Sequence, residues 1–274
     1  MKKFNSLLIA SAFAAGIFYS CDNASVAPEI EPISAEVLGQ IKSMGFSTEG
    51  AIKFESGYLV ENDIYLTDHD LKEMKTGDRL PILEQYSTNN LVCGPRNITV
   101  YAPVGGRNGY SAGMIAGLDL AISRYNAQNL SITFSRISSS SGADIVMTRL
   151  SKRDERRGVL GSAGFPTNGC DPYGQIKMSG ILESSYGLST GGIATIIAHE
   201  MGHCIGFRHT DFFDRSISCG GSTANEGDGG VGANHIPGTP TGASASAKSW
   251  MLACTDGGDR PFNNDDRTAL NYLY

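Results

Sequence analysis

The chain has 274 residues, 41% of them hydrophobic and 18% charged, which allows one sizeable core with appendages. A formal net charge of −6 leaves no basic excess for holding phosphates, so nucleic acid is excluded as an expected partner. The charge divides unevenly: residues 22–90 carry 13 acidic and 5 basic side chains, residues 91–274 carry 15 of each.

Residues 1–20 have the form of an export signal. Lys2 and Lys3 precede an apolar run over residues 7–18, of signal-peptide length and too short to span a bilayer. The run ends in Tyr19-Ser20-Cys21. A small residue before a cysteine resembles a bacterial lipoprotein signal, with Cys21 as the lipidated terminus, although Phe18 stands where leucine is usual. The expected location is the cell surface or periplasm, or outside the cell after processing, with a lipid on Cys21 as the only tie to a membrane. Export permits disulfides. Beyond Cys21 the cysteines are Cys93, Cys170, Cys204, Cys219 and Cys254, an odd number. One pair is expected among the last three and another between Cys93 and Cys170, leaving one free thiol.

Residues 21–90 are expected to be an acidic pro-segment. It starts loosely at Pro28 and Pro32, has helical spacing over residues 37–46, and contains a strand-like Tyr58-Leu59-Val60 followed by Glu61-Asn62-Asp63-Ile64-Tyr65-Leu66. The alternative is an N-terminal subdomain retained in the mature protein.

Beyond residue 90, Asn97-Ile98-Thr99-Val100-Tyr101 alternates as a strand. Ile115, Leu118, Ile122 and Tyr125 recur at helical spacing and predict an amphipathic helix over residues 111–126. Further strands are predicted at residues 131–135, 143–147 and 175–178. Thr190 is the expected cap of the next helix, apolar through Ile193, Ile196 and Ile197. That helix runs into His199-Glu200-Met201-Gly202-His203-Cys204-Ile205-Gly206-Phe207-Arg208-His209.

This spacing is the one a catalytic zinc site needs. Residues four apart share a helix face, so His199 and His203 aim at one point. Glu200 lies about 100° round the helix, able to reach a metal-bound water without ligating the metal. Gly206 can adopt the left-handed turn that brings His209 back as third ligand. Three protein ligands leave the fourth tetrahedral position open, as in catalytic rather than structural sites. A bare H-E-x-x-H arises by chance, but Gly206 and His209 at fixed offsets, with three of five histidines here, make chance a poor account. His69 and His235 are expected as ordinary surface or loop histidines. Downstream, Glu226 and Asp228 in a glycine-rich stretch could hold calcium, but loop conformation alone explains the glycines. Asn263 or Asn264 can cap a last helix ending at Tyr274.

The long motif followed by Ser249-Trp250-Met251 resembles the metzincin metalloproteases, with Met251 as the Met-turn under the zinc histidines. The run from Ala198 through Asp211, with Gly232-Ala233-Asn234-His235-Ile236-Pro237 and Arg260-Pro261-Phe262-Asn263, resembles the bacterial dual-action HEIGH metalloproteases, the myxobacterial protease B-like family. Met201 replaces the isoleucine of the family name, a swap that cores tolerate. Ala253 stands where astacin-like and serralysin-like enzymes have a tyrosine, so no tyrosine ligand is carried over. The resemblance implies an α+β, metzincin-like zincin fold: a twisted mixed sheet, two long helices above the cleft and a smaller irregular C-terminal subdomain. It also implies a catalytic domain over residues 91–274, acting as a monomer on proteins or peptides, with one catalytic Zn²⁺ and Glu200 as general base. The strand before the zinc helix would be the edge to which an extended substrate adds. Val60-Glu61-Asn62-Asp63 partly resembles the aspartate switch of astacin-like proenzymes, making Asp63 the expected zinc blocker. The rival is Cys93-Gly94-Pro95-Arg96, which resembles in scrambled order the cysteine switch of matrix metalloproteases. Asp211 is a minor alternative for orienting a histidine. Two other classes compete: a surface-tethered binding protein with structural zinc, and a zinc hydrolase of small esters or amides.

Overall fold

The computed structural model describes residues 31–44, 46–73, 85–167, 169–227, 231–240 and 242–274. The export signal, Cys21 and Asp228 lie outside them. Helix α1 (Ala35–Ser43) is capped by Ser34, whose hydroxyl accepts from Val37 N at 3.2 Å. An antiparallel ladder follows, β1 (Ile52–Phe54), β2 (Gly57–Val60) and β3 (Ile64–Thr67), ending in the single turn α2 (Asp70–Glu73). Glu61 and Asn62, between β2 and β3, have φ of 55° and 72°. That left-handed conformation costs a non-glycine residue about 1–2 kcal/mol. It turns the chain so that Asp63 leads into β3.

The larger half comprises β4 (Tyr86–Ser87), β5 (Arg96–Tyr101), α3 (Ala112–Asn126), β6 (Ile132–Ile137), β7 (Ile145–Arg149), α4 (Lys152–Arg156), β8 (Gly161–Ser162), β9 (Gln175–Met178), α5 (Thr190–Ile205), α6 (Ser216–Cys219), β10 (Asn234–His235) and α7 (Asn264–Leu273). The predicted helix over 111–126 begins one residue later, because Ser111 is its cap. On α5 the cap is Ser189 rather than Thr190. Both side chains are competent, but the extended backbone falls at Ser189, whose hydroxyl accepts from Gly192 N at 3.2 Å. Asn263 caps α7 in a reciprocal box with Asp266.

The fold is α+β. Its main sheet has the order β6-β5-β7-β9-β8, parallel except for β8, which runs antiparallel to β9. The expectation of β9 as edge strand is therefore corrected: β9 is interior and β8 is the edge. Two residues are too few to show an alternating pattern, so β8 is invisible in the sequence. Just beyond it, Ala163 N donates to Asp63 O and Ala163 O accepts from Tyr65 N, each at 3.0 Å. The N-terminal ladder thus extends the sheet at its edge, with a parallel bridge between Ile64 and Ala163.

Helices α3 and α5 cover one face of the sheet. They approach closely at Gly117, where a Cβ would lie 2.4 Å from Ile193 Cγ2, and Tyr125 Oη donates to Ala198 O at 2.8 Å. Ile176 and Met178 face this core, so the alternation of a strand turns Lys177 to the opposite face. There Lys177 pairs with Glu55 and lies over the rings of Phe54 and Tyr65. Leu150 and Val159 pack on the same N-terminal residues.

Residues 85–90, on the N-terminal side of the expected boundary, are woven into the larger half. β4 pairs with β10, Thr88 N donates to Gly206 O at 2.8 Å, and Arg208 N donates to Tyr86 O at 2.9 Å. Disulfides join Cys93 to Cys170 and Cys219 to Cys254, and Cys204 is free and buried. Cys93 is thereby unavailable as the thiolate blocker considered above.

Candidate active site

The end of α5 builds the site. Gly206 takes φ 109°, and a Cβ there would lie 2.7 Å from Leu91 Cδ2 and 3.0 Å from Asn90 O. This turn returns His209 toward His199 and His203. His203 Nε2 stands 3.0 Å from His199 Nε2 and 3.2 Å from His209 Nε2. Asp63 Oδ2 completes the cluster, 3.0 Å from His209 Nε2 and 3.4 Å from His199 Nε2. Tetrahedral zinc with ligands at about 2.0–2.1 Å separates them by about 3.3 Å, so the spacing fits the ion.

The other ring nitrogens show why a cation suits this cluster. His199 Nδ1 is 2.8 Å from Trp250 O, and His203 Nδ1 is 2.8 Å from Phe207 O. A carbonyl only accepts, so both Nδ1 atoms carry the proton and both Nε2 lone pairs face inward. His209 Nδ1 is 2.7 Å from the Glu226 carboxylate. Burial holds His203 well below the ordinary histidine range. For His209 burial favours the neutral form, yet Asp63 and then Glu226 outweigh it and push the group upward. Converging lone pairs in a negative field call for a positive ion.

Glu226 is fully buried. Arg215 Nε lies 3.1 Å from its Oε1 and Arg208 Nη2 lies 3.6 Å from its Oε2. Burial opposes its charge, but His209 and then Arg208 and Arg215 hold the carboxyl below its ordinary value. A carboxylate on the far nitrogen of a ligating histidine fixes the ring and raises its basicity. Glu226→Gln should therefore weaken zinc binding about 10–100-fold, measured by competition with a chromophoric chelator. Unchanged affinity would remove the orienting role. Asp211 does not take that role: its oxygens accept from Ala253 N at 2.9 Å and Ser218 Oγ at 2.6 Å, holding the loop after Met251. Nothing in chain order points to Glu226 as a partner of His209, because it lies in an aperiodic, glycine-rich loop outside the zinc motif.

Met251 lies beneath the helix. It is fully buried, a Cβ on Gly202 would come 2.6 Å from its Sδ, and Thr210 N donates to its carbonyl at 2.8 Å. Glu200 is buried against Gly161, where any Cβ would lie 2.4 Å from Glu200 Oε1. Glu200 Oε2 is buried without a hydrogen-bond partner among the described residues. Burial first, then the charge of Asp63, raises its carboxyl well above the ordinary range. Glu200, His199 and Asp63 line a cavity of about 550 Å³. His69 is exposed, and His235 pairs with Thr239 Oγ1 at 3.2 Å, so neither joins the cluster.

A helix-borne histidine pair, a third histidine across a glycine turn and a buried glutamate at an open cavity define a hydrolytic metal centre. Residues 58–274 match the dual-action HEIGH metallo-peptidase family. The chain belongs to that family and is a zinc metallopeptidase. The match begins within β2, so it includes Asp63 as well as the histidines. Two solved structures of myroilysin are similar at a distance. One is 13% identical, covering 68% of this chain and 96% of that one, with a TM-score of 0.39. The other is 15% identical, covering 65% and 83%, with a TM-score of 0.39. No curated protein matches the chain.

Proposed function

We propose that the chain is an exported zinc endopeptidase, made as a zymogen, in which Glu200 is the general base. The observation that carries this reading is the convergence of three histidine Nε2 atoms and Asp63 Oδ2 on one point beside Glu200. His199, His203 and His209 would hold the ion through Nε2, aimed by Trp250 O, Phe207 O and Glu226. Bound zinc supplies a Lewis acid that polarises the scissile carbonyl and acidifies water. Glu200 accepts the proton of the attacking water and returns it to the leaving amine. Its raised affinity for a proton suits both halves of that exchange. Met251 supports the histidine helix from below. A substrate strand would take the backbone groups of Ala163 that now bond to Asp63 and Tyr65.

Latency follows from the same contacts, because Asp63 holds the ligand position and its strand covers the edge. The segment to be removed ends ahead of Gln85, since residues 85–90 brace the His209 turn. Export is supported by the leader and by the two disulfides, with Cys21 as the candidate lipid anchor. Substrates are proteins or peptides, and the chain acts alone.

The test is casein hydrolysis by protein lacking residues 1–20, with metal analysis and mass spectrometry of the N-terminus. The expected result is one zinc per chain, activity abolished by chelator and restored by zinc, and a new terminus ahead of Gln85. Zinc-loaded, processed protein that cleaves no casein or peptide would favour a binding protein, and one that cleaves only small esters or amides would favour a different hydrolase.

A further inference from the structure

We propose that Gln85 and Asp266 form a buried clamp on the Ser249-Trp250-Met251 turn and thereby position His199 for the reaction. This rests on the peptidase reading and adds two positioning residues to it. Both belong to the half of the chain that remains after processing. Gln85, Thr210, Ser249 and Asp266 are all buried.

Asp266, on α7, is ringed by donors. Its Oδ1 accepts from Gln85 Nε2 at 2.6 Å, and its Oδ2 accepts from Asn263 N at 2.9 Å and from Trp250 N at 3.4 Å. The capping box of α7 uses Oδ2, so helix capping does not account for the bond from Gln85 to Oδ1. A carboxylate only accepts, so Nε2 rather than Oε1 of Gln85 faces it. Burial, the first cause, pushes the Asp266 carboxyl up to about 6 against the pull of these donors, and at neutral pH it remains a carboxylate. Gln85 holds φ of 56°, left-handed backbone that a residue with a Cβ seldom adopts.

The same amide reaches the turn directly. Gln85 Nε2 also donates to Ser249 Oγ at 3.1 Å. Ser249 Oγ accepts in turn from Met251 N at 3.2 Å and lies 2.8 Å from Thr210 Oγ1. The turn is therefore tied at each of its three residues: Ser249 through its hydroxyl, Trp250 through its N–H to Asp266, and Met251 through its N–H to Ser249. From this turn Trp250 O meets His199 Nδ1 at 2.8 Å. Trp250 Nε1 donates to Ala198 O at 3.1 Å, which fixes the indole against the helix that bears His199. The carbonyl sets the tautomer and direction of the His199 ring, so a shift of the turn re-aims its Nε2 lone pair. Asp266→Asn would turn an NH₂ toward donors, and Gln85→Met removes the amide donor at similar size.

The test uses zinc-loaded full chain labelled with ¹⁵N-histidine, read at the His199 Nδ1–H resonance. Processed enzyme, its N-terminus checked by mass spectrometry, supplies kcat and KM. Asp266→Asn and Gln85→Met should each move the resonance and lower kcat about tenfold. KM should change less than about twofold, because neither residue touches substrate. Asn263→Ala removes the side chain that caps α7 and keeps both clamp residues. It should lower Tm yet leave the resonance and kcat at wild-type values. Should Asp266→Asn fail to fold, Gln85→Met decides alone. An unmoved resonance with unchanged kcat in folded Gln85→Met protein overturns the proposal. A moved resonance with unchanged kcat overturns the link to catalysis, and an equal shift in Asn263→Ala reduces the effect to helix capping and overturns the clamp. A resonance that moves only in the clamp variants, in a protein that cleaves no peptide in any form, keeps the clamp and removes the peptidase reading.

Discussion

Glu200→Gln protein should still bind one zinc ion per chain, yet hydrolyse peptides about 10²–10⁴-fold more slowly. Glutamine has the same shape and can hydrogen-bond to a water, but it cannot accept and return a proton. Zinc should stay because Glu200 is not one of the groups that converge on the metal point. The pH profile offers a second readout. Burial is the first cause that displaces the Glu200 carboxyl upward, ahead of Asp63, which leaves with the removed segment. In the wild-type enzyme activity should therefore fall as pH drops through that displaced value, where the carboxyl becomes protonated and can no longer act as a base. The residual activity of Glu200→Gln should lack this acid limb. Chelator-sensitive hydrolysis at wild-type rate in the variant would end the assignment.

The second large effect should come from Asp63. In the full chain Asp63→Ala should raise peptide hydrolysis at least about tenfold before any N-terminal residue is lost, because a tethered carboxylate competes with substrate at high effective concentration. The rise should stop short of the fully processed level. Ile64 and Tyr65 remain, so the strand still bonds to Ala163 and covers the edge. Rates measured alongside N-terminal mass spectrometry separate the two contributions. No change in the unprocessed Asp63→Ala chain would mean that latency, if present, comes from the covering strand alone. Loss of zinc from that variant would instead make Asp63 a working ligand.

What the chain order determined is local. His199 and His203 meet because four residues make about one helical turn, and Gly206 ends the helix because glycine tolerates φ of 109°. Ser111 and Asn263 cap their helices through side-chain contacts three residues away. Such features need only near neighbours, so they are legible without a fold. The aspartate expected to meet the zinc was legible only through its resemblance to a switch motif, since its approach spans 146 residues to His209.

The tertiary structure decided the rest. Glu226 reaches His209 from an aperiodic loop, and the Trp250 carbonyl orients His199 from 51 residues away. Neither partnership leaves a trace in spacing, because a backbone carbonyl has no residue type to recognise. The sheet edge passed from β9 to β8 because pairing depends on which strands meet, and a two-residue strand carries no period. Ser189 took the cap from Thr190 through backbone geometry alone.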